Sequence, residues 1–421
     1  MWYISFVLLT RKRVPLQAKA YMAFMTGNML PYTLLLSSGF IGISFAQVNF
    51  TTTNFLGAFA SGSGVLESLR PASDPSFDFS PSDYFSLRDG AGQYHTGDIT
   101  FRYRLAESDA WTEANTAAQR ENTTTVPSLA VSASLNSALP NASSINTTRT
   151  WGQVDGDLTL SFTIENTGSS TLEIGSLGLP IEFNNIFTGR TAVETTNKCV
   201  LLDPYIGLHA GYVQATRLTG FGPELVITPL NNETKFEAWR FLDEPQGELG
   251  YQQQTYEGNY AWEIFTKAYA ENEWRNAEPW NPPTSRTLAP GESLTVGLRF
   301  SVAPSVQHIE ATVCSVGVPV AVGIPGYVLP HDLTAKLFLN STFSILSWSV
   351  EPASALTLTQ CDTYEDNWTG YDVTANTSAF GRARLTLQYA DGRTQAIHYW
   401  IAHASPQALS ELGSFLTNEQ W

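Results

Sequence analysis

Period-two alternation of apolar and polar residues constrains the fold of this chain more than any other feature. In 157–165 the apolar residues Leu158, Leu160, Phe162 and Ile164 occupy every second position, with threonine and serine between them. A strand presents successive side chains to opposite faces of a sheet, so this pattern predicts a strand with one buried face. The same pattern recurs in three further segments: Ile99–Leu105, Leu294–Phe300 and Leu385–Tyr389.

Turn signals between these segments indicate how the strands connect. Asn166-Thr167-Gly168 follows one strand, and Asp391-Gly392 favours a type I′ hairpin into a second strand through Ile397, Tyr399 and Ile401. Half-buried strands joined by short turns are typical of antiparallel sheets that pack face to face. We therefore predict a mainly β protein: a large, supersandwich-like antiparallel β-sandwich over residues 47–404, followed by a C-terminal linker helix.

The acidic composition limits the classes of partner. The chain has 39 acidic and 23 basic residues, a formal net charge of −16 and a pI near 4.8. This charge argues against binding nucleic acid or an anionic membrane, both of which attract basic surfaces. Charged residues make up only 15% of the chain and aromatic residues 12%, which favours a large folded globule over a disordered chain. The excess of carboxyl groups suits a mildly acidic medium.

The N-terminal region predicts export. An apolar stretch, Leu34–Phe45, ends in Ser44-Phe45-Ala46, a small-x-small cleavage signal. We interpret residues 29–46 as a cleaved signal peptide and residues 1–28 as upstream sequence from a misplaced start. The alternative is an uncleaved signal anchor over Leu30–Ala46, which is slightly short for a membrane span. With cleavage, we expect a secreted, extracellular protein that has no stable association with membranes.

Glycosylation signals and cysteines fit an extracellular chain. Asn-x-Ser/Thr sequons occur at Asn49, Asn122, Asn141, Asn146, Asn232, Asn340, Asn367 and Asn376. Such triplets also arise by chance in a chain rich in Asn and Thr, so some of them need not be used. Of the three cysteines, we favour a disulfide between Cys314 and Cys361, which leaves Cys199 over. The alternative is that all three are small buried apolar groups.

Two segments depart from the strand pattern. Residues 107–149 are rich in Ala, Ser, Thr and Asn and have almost no periodicity, which indicates a surface insertion, partly disordered, with a possible short helix over Ser108–Glu121. In residues 405–421, Ser405-Pro406 is a helix start signal, and apolar residues then recur at helical spacing. The exposed apolar face of this predicted linker helix suggests that it leads to a further domain, absent from this chain.

Residues 239–280 concentrate aromatic rings and carboxylates, the side chains that bind sugars. Flat rings pack against the C–H faces of pyranose rings, and carboxylates accept hydrogen bonds from hydroxyl groups. Two carboxylates across a glycosidic bond would act as acid and base, or as acid and nucleophile. From this segment and the loop near residue 330, we select a candidate surface for carbohydrate or for a neighbouring domain: Trp262, Glu263, Trp274, Trp280 and Asp332.

An alternative interpretation keeps part of this set in the core. Tyr260, Trp262, Ile264 and Phe265 fit a buried strand, and glutamates would then only solvate its other face. Other chemistries leave no motif, because the sequence contains no G-x-S-x-G elbow, no H-E-x-x-H and no Cys/His cluster at zinc spacing. We therefore assign no cofactor, no metal site and no catalytic residue.

Several long motifs carry a family resemblance: FDFSPSDYFSLRDGAGQYHTGDITFRYR, DPYIGLHAGYVQATRLTGFGPELVITP, FEAWRFLDEP, EIFTKAYAENEW, PWNPPTSRTLAPGES and GIPGYVLPHDLTAKLFL. With these motifs the chain resembles a family of secreted fungal and bacterial proteins of uncharacterised function, which is similar to six-hairpin glycosidases. The resemblance covers most of Phe77–Trp421. It implies an N-terminal β-sandwich, linker helices and then an (α/α) toroid, and this chain is expected to end where the toroid would begin.

Two functional hypotheses follow. In the first, the chain is the N-terminal β-sandwich portion of a secreted glycoside hydrolase-like protein that acts on carbohydrate. The resemblance then implies that the catalytic carboxylates lie on the helical toroid, so none is assigned here. In the second, the chain is a non-catalytic secreted module that binds glycans or provides structure. The partners expected are carbohydrate and a downstream helical domain of the same natural product.

Overall fold

The alternating segments fold as antiparallel strands in a computed structural model of the chain. The structure describes residues 47–90, 92–107, 109–119, 127–242, 259–364 and 367–420. The predicted upstream segment, the predicted signal peptide and the sequon at Asn122 lie outside the described residues. The predicted fold class, mainly β with antiparallel sandwich sheets and a C-terminal helix, is confirmed.

The strands, in chain order, are β1 (Gln47–Thr51), β2 (Phe55–Ala60), β3 (Leu66–Pro71), β4 (Thr100–Arg104), β5 (Thr112–Asn115), β6 (Ser132–Ser134), β7 (Ile145–Val154), β8 (Asp157–Asn166), β9 (Leu172–Ile181), β10 (Val200–Tyr205), β11 (Tyr212–Arg217), β12 (Glu224–Pro229), β13 (Ala238–Leu242), β14 (Asn259–Phe265), β15 (Arg286–Leu288), β16 (Ser293–Ala303), β17 (Val320–Ile324), β18 (Val328–Pro330), β19 (Thr334–Asn340), β20 (Ile345–Glu351), β21 (Leu356–Thr363), β22 (Trp368–Ala375), β23 (Gly381–Tyr389) and β24 (Thr394–Ala402). The α-helices are α1 (Phe85–Gly90), α2 (Ala192–Lys198), α3 (Lys267–Glu271), α4 (Ile309–Ser315) and α5 (Ser405–Asn418). Short 3₁₀ helices span Ser82–Tyr84, Ala117–Gln119, Asn136–Ala138 and Val306–His308.

Three sheets build the larger sandwich. Their strand orders are β1-β2-β3, β10-β11-β12-β16-β8-β7-β6 and β13-β14-β9-β4-β5, with β15 also paired to β9. The predicted strand β8 lies between β7 and β16, where Leu160 faces Trp151 on one side and Leu298 on the other. Leu160, Phe162 and Phe300 are fully buried in a core shared by the sheets. The alternation therefore identified the inward face of this strand correctly.

Residues 320–402 form a smaller sandwich with its own core. Its four-stranded sheets have the orders β17-β19-β22-β21 and β18-β24-β23-β20, and β18 runs parallel to β24. The predicted hairpin joins β23 to β24, but the predicted type I′ turn is wrong, because Gly392 has a positive φ of 86° and Asp391 does not. Leu337, Leu385 and Ile397 are fully buried here. Residues 47–404, predicted as one sandwich, therefore contain two sandwich cores.

The predicted surface insertion, residues 107–149, contributes to the larger sandwich instead. It contains β5, β6 and the first half of β7, and Leu135, Leu139 and Ile145 are buried in the core. A strand and a 3₁₀ helix occupy the described part of Ser108–Glu121, in place of the possible short α-helix. β5 and β6 are too short to produce a recognisable period, and the buried positions of β7 include the polar residues Thr147 and Arg149, which explains the error.

The predicted disulfide between Cys314 and Cys361 is wrong, because all three cysteines are free thiols. Cys314 lies in α4 and packs against a small apolar cluster between α4 and the sheets. Cys361 lies on β21, where its sulfur is 3.8 Å from the Lys336 ammonium. Cys199 is fully buried and its thiol donates to the carbonyl of Ile186 at 3.2 Å. The fold is therefore held by its cores and not by a cross-link.

The described sequon asparagines lie at the surface. Exposed side chains belong to Asn49, Asn141, Asn232, Asn367 and Asn376, and half-buried ones to Asn146 and Asn340. A glycan needs an accessible amide, so burial rules out none of these positions. Their use stays a prediction, as does secretion.

The predicted linker helix is α5, which begins at Ser405 with Pro406 in its first turn. The carboxylate of Asp332 accepts hydrogen bonds from the backbone N–H of Ser405 at 2.9 Å and from its hydroxyl at 3.2 Å. A negative charge at this position satisfies free N–H groups and the positive end of the helix dipole. The apolar side chains exposed on the helix are Leu409, Leu412, Phe415 and Leu416. Among the described residues, no helix has both the length and the apolar character needed to cross a membrane.

Buried carboxyl groups make the stability of the fold depend on pH. Burial raises the pKa of Glu237 to about 7, although hydrogen bonds from Thr284 and Thr266 oppose the shift. Burial likewise raises the pKa of Glu224 to about 7. A carboxyl group whose pKa is higher in the folded than in the unfolded chain stabilises the fold while it is protonated. Its contribution is full below the unfolded value of 4.5 and is lost as the pH rises through about 7.

We expect the melting temperature to fall as the pH rises from 4.5 to about 7, and the variant Glu237→Gln to show a smaller fall. Thermal unfolding followed by circular dichroism across this range would measure both slopes. The matched control is Glu233→Gln, because Glu233 is exposed. If Glu237→Gln keeps the full pH dependence of the parent chain, the assignment to Glu237 is wrong.

Candidate functional site

The residues selected from the sequence do not form one surface. Trp262 and Glu263 are fully buried, so the prediction that they are exposed to carbohydrate is wrong. Trp274 packs on Tyr269, with ring centroids 5.0 Å apart. The remaining two lie elsewhere, Trp280 against the small sandwich and Asp332 at the start of α5.

Trp262 and Glu263 are neighbours on β14 and point to opposite faces of the six-stranded sheet. Trp262 enters the core, where its ring stacks on Phe236 at 3.9 Å between centroids, and its Nε1 donates to the carbonyl of Lys235 at 2.8 Å. Glu263 points to the outer face, and Arg240 of the adjacent strand β13 donates to its carboxylate at 2.5 Å. Burial raises the pKa of Glu263, and the charge of Arg240 opposes that rise.

Two arginines enclose an aromatic ring beside this pair. The guanidinium carbons of Arg102 and Arg240 lie 4.6 and 4.5 Å from the ring centroid of Tyr269 in α3. Cations favour the face of an aromatic ring, and the contact is stronger away from water. Tyr269 thus lies over this part of the outer face. It is flanked by Arg240, which pairs with the buried Glu263, and by Arg102, which is partly exposed to solvent.

Glycines of β9 allow these large side chains to lie directly on the sheet. A Cβ atom at Gly178 would come within 2.8 Å of the Glu263 carboxylate, and one at Gly175 within 2.2 Å of the Trp111 ring. Any other residue at either position would force those groups away from the strand. The glycines therefore create the space that the outer-face side chains fill.

An open cleft of ≈460 Å³ continues along this face. We call it the arginine cleft and define it by the residues that line it: Arg102, Arg104, Asp109, Ala110, Trp111, Glu113, Glu271, Asn272 and Glu273. The guanidinium of Arg104 lies 4.0 Å from the Trp111 ring centroid, and the indole N–H donates to Glu271 at 2.9 Å. A hydrogen bond at its edge and a cation–π contact on its face therefore hold Trp111 as one wall of the cleft.

Carboxylates hold the arginines in place and form the rim. Arg102 pairs with Glu273 at 2.7 Å and with Glu113 at 3.2 Å, and these two carboxylates are 48% and 58% exposed. The hydrogen bond from Arg102 lowers the pKa of Glu273. Arg104 pairs with Glu173 at 2.7 Å; burial acts to raise the pKa of Glu173, but bonds from Lys267, Ser285 and Arg104 lower it to about 2. The rim therefore presents ionised hydrogen-bond acceptors to solvent.

Trp280 and Asp332 have structural roles. The Trp280 ring packs against the outer face of β23 and β24, 4.1 Å from the Arg382 guanidinium and 5.3 Å from His398. Arg384 donates to the carbonyl of Trp280 at 3.0 Å, so this residue helps to join the loop before β15 to the small sandwich. Asp332 caps α5 as described above. Of the five selected residues, Trp274 packs on Tyr269 beside the arginine cleft, and Glu263 lies buried on the same sheet face, where it pairs with Arg240.

Sequence reasoning missed Arg102, Arg104 and Trp111. Arg102 and Arg104 alternate with Phe101 and Tyr103 on β4, and the aromatic pair faces the core. This period-two placement of two cations on one face was a usable signal, because opposite charges on neighbouring strands pair across a sheet face. Among the described residues, no group of three His, Cys, Asp or Glu is placed to hold a metal ion.

The two sandwiches and the terminal helix define a large antiparallel β-sandwich protein. The chain belongs to the family DUF5695, a family of unknown function, whose pattern matches residues 58–421. No curated protein matches the chain.

A solved structure shows a similar fold at low sequence identity. The chain is similar to a polysaccharide lyase with a TM-score of 0.66 and 12% identity, over 89% of this chain and 50% of the lyase. The chain therefore spans about half the length of that protein. Weaker matches are a galactose mutarotase-like protein from Lactobacillus casei (TM-score 0.33, 14% identity, 61% of this chain and all of that one) and a putative aldose 1-epimerase from Escherichia coli K12 (TM-score 0.36, 11% identity, 62% of this chain and all of that one).

Proposed function

We propose that the chain is the β-sandwich portion of a secreted carbohydrate-active protein, and that its arginine cleft contacts a saccharide. The observation that carries the proposal is the combination of an indole wall, Trp111, with two exposed carboxylates, Glu113 and Glu273, in one open cleft. An aromatic face suits the C–H side of a sugar ring, and carboxylates accept bonds from its hydroxyl groups. The resemblance to a polysaccharide lyase supports the same class of ligand.

The charge of the cleft favours a neutral sugar over a uronate. Both arginines already bind carboxylates of the protein, and the cleft is lined by four acidic residues but only two basic ones. A sugar acid would have to compete with Glu273 and Glu113 for Arg102, at a cost in electrostatic repulsion. A neutral saccharide needs only the exposed acceptor oxygens and the Trp111 ring.

We further propose that α5 packs against a helical domain of the natural product. Its exposed apolar side chains support this, since Leu409 is 69% and Leu412 52% exposed on a helix whose start is fixed by Asp332. The polysaccharide lyase is about twice as long as the stretch that it shares with this chain. In this proposal the glycosidic chemistry belongs to that further domain, and the alternative is a non-catalytic module that binds glycans or provides structure.

We expect Trp111→Ala to weaken binding of a neutral oligosaccharide by roughly tenfold, because one stacking face is lost. Isothermal titration of the full chain with cello-, xylo- and manno-oligosaccharides would measure this, with a galacturonan oligomer as the charged comparison. The matched control is Phe221→Ala, which removes an 83% exposed ring on the turn between β11 and β12.

A second variant separates binding from folding, because Trp111 also supports Arg104. Glu113→Gln removes only the charge of a 58% exposed side chain, and we expect it to weaken the same oligosaccharide while the melting temperature stays constant. Unchanged affinity in both variants would contradict the proposal. Release of reducing sugar by this chain alone would contradict the assignment of the chemistry to a further domain.

A further inference from the structure

The small sandwich ends at an open strand edge. In the sheet of order β18-β24-β23-β20, β20 is the last strand, and among the described strands it pairs with β23 alone. Every residue of β20 and β23 is described. The outer edge of β20 therefore presents backbone N–H and C=O groups that have no strand partner. Such an edge is a template on which a strand of another chain can pair.

The composition of β20 gives little protection against such pairing. Proteins commonly protect strand edges with charged side chains, with proline or by keeping the edge strand short. Charged residues interrupt the edge strands β3, β5, β10, β13 and β21, and β6 and β18 have only three residues each. β20 has seven residues, and its first six, Ile345–Val350, include no charged residue, proline or glycine.

Two large apolar side chains of β20 are exposed to solvent. Leu346 is 64% exposed and stands where the pairing with β23 shifts register, and Trp348 is 50% exposed. The Trp348 ring lies 6.4 Å from that of Tyr371 in the opposite sheet, so it stands at the open side of the small sandwich. The one charged residue of β20, Glu351, pairs with Arg384 of β23. This edge is therefore apolar, and covering it would remove apolar area from water.

The sequence of β20 identifies a second copy of the chain as the matching partner. Ser347 and Ser349 flank Trp348 symmetrically. In a two-fold antiparallel pair of β20 strands centred on Trp348, the two Trp348 residues lie opposite each other, and Ser347 of one copy lies opposite Ser349 of the other. Opposed aromatic residues and opposed hydroxyl side chains both stabilise antiparallel strands. A second copy supplies this order of residues by symmetry.

We propose that two copies of this chain associate through β20, so that their four-stranded sheets join into one eight-stranded sheet. The two-fold operation closes after two copies, because each copy contributes the same edge. Interfaces of less than about 1,200 Å² are typical of weak complexes, and pairing through one seven-residue strand per copy belongs to that class. We expect a dimer that forms at micromolar concentrations and dissociates on dilution. The proposal is independent of the arginine cleft.

The net charge of the chain gives this association a characteristic salt dependence. Each copy carries a net charge of −16, whereas Ile345–Val350 carry none. Salt screens the repulsion between two like-charged molecules and has little effect on an uncharged contact. We therefore expect the dimer fraction to rise when the salt concentration is raised from about 0.05 to about 0.5 M. A dimer fraction that falls over this range would contradict pairing through β20.

Sedimentation equilibrium of the full chain over a concentration series measures the dimer directly. We expect Trp348→Lys to raise the dimer dissociation constant at least about tenfold, because two like charges would then lie directly opposite each other. The matched control is Trp400→Lys, since Trp400 is 44% exposed on β24, an interior strand of the same sheet. The control should dimerise like the parent, and circular dichroism checks that both variants are folded.

The register is tested by cross-linking, which leaves Trp348 in place. The variants Ser347→Cys and Ser349→Cys, each in a chain with Cys314→Ser and Cys361→Ser, are mixed and mildly oxidised. Opposed residues have Cβ atoms about 4.5–5.5 Å apart, close to the range of a disulfide, whereas diagonal neighbours are about 7–8 Å apart. We expect covalent dimers in the mixture and few in either variant alone.

Three results would overturn the proposal and leave the proposed function unaffected. The first is a chain that sediments as a monomer up to about 1 mM. The second is a dimer whose dissociation constant is the same in Trp348→Lys and in the parent. The third is cross-linking of Ser347→Cys or Ser349→Cys alone to the same extent as in the mixture, which would exclude a symmetry centre at Trp348.

Discussion

Replacing Glu263 with alanine is expected to lower the free energy of unfolding by about 3–5 kcal/mol, the usual effect of removing one partner from a buried ion pair. The side chain of Glu263 is inaccessible, and that of Arg240 is 20% exposed. Without the carboxylate, Arg240 would lose the anion to which it is hydrogen-bonded while its guanidinium stays packed against Tyr269. Urea unfolding monitored by tryptophan fluorescence would give this difference directly.

The control for this prediction is another ion pair of the same sheet face. Glu113→Ala breaks the pair with Arg102, but its carboxylate is 58% exposed, so the expected loss is below about 1 kcal/mol. The double variant Glu263→Leu with Arg240→Met removes both charges and should recover most of the stability lost in Glu263→Ala. Equal losses in Glu263→Ala and Glu113→Ala would show that the buried pair has no special role.

The fold was largely predictable because its strands are long and amphipathic. In β8 and β16, apolar residues alternate over the full length, and Leu160 and Phe300 are fully buried as expected. The sequence of such a strand is enough to predict which of its side chains share a face, without knowledge of the rest of the chain. The hairpin at Asp391-Gly392 was predictable for a similar reason, since its turn depends on two adjacent residues.

The candidate site was not predictable in the same way. Glu263 looked like a solvent-facing residue because it alternates with Trp262, but the outer face of β14 is covered by α3 and by Arg240. Whether a strand face is covered depends on segments distant in sequence, and periodicity carries no information about them. The pairing of Arg102 with Glu273 was unpredictable for the same reason, because the two residues are 171 positions apart in the sequence.

The clustering of tryptophans in the sequence also failed to predict where these residues lie in the structure. Trp262, Trp274 and Trp280 lie within one short stretch of sequence, yet they belong to the core, the neighbourhood of Tyr269 and the small sandwich. The chain leaves the sheet after β14, so consecutive tryptophans are carried to different parts of the molecule. Trp111, which walls the arginine cleft, came from a segment predicted to be a surface insertion.

Replacing Leu160 with aspartate is expected to abolish folding, since it would place an unpaired charge at the centre of the larger core. Leu160 is fully buried between Trp151 and Leu298 on the adjacent strands. Leu160→Ala keeps the site apolar, and we expect it to lower the free energy of unfolding by about 2–5 kcal/mol through lost contacts and the cavity left behind. The yield of soluble protein and chemical unfolding would measure the two effects.

The control must lie on the other face of β8, and the structure decides which residue serves. From the alternation alone, Thr159→Asp would be the control, because Thr159 lies on the face opposite to Leu160. Thr159 is only 8% exposed, however, so we expect Thr159→Asp to destabilise the fold as well. Thr163 is a better choice, because its hydroxyl lies at the surface, 2.9 Å from that of Thr295. We expect Thr163→Asp to fold and to cost less than about 1 kcal/mol, as is usual for surface substitutions. If Leu160→Asp and Thr163→Asp yield soluble protein with the same melting temperature, the assignment of the inward face of β8 is wrong.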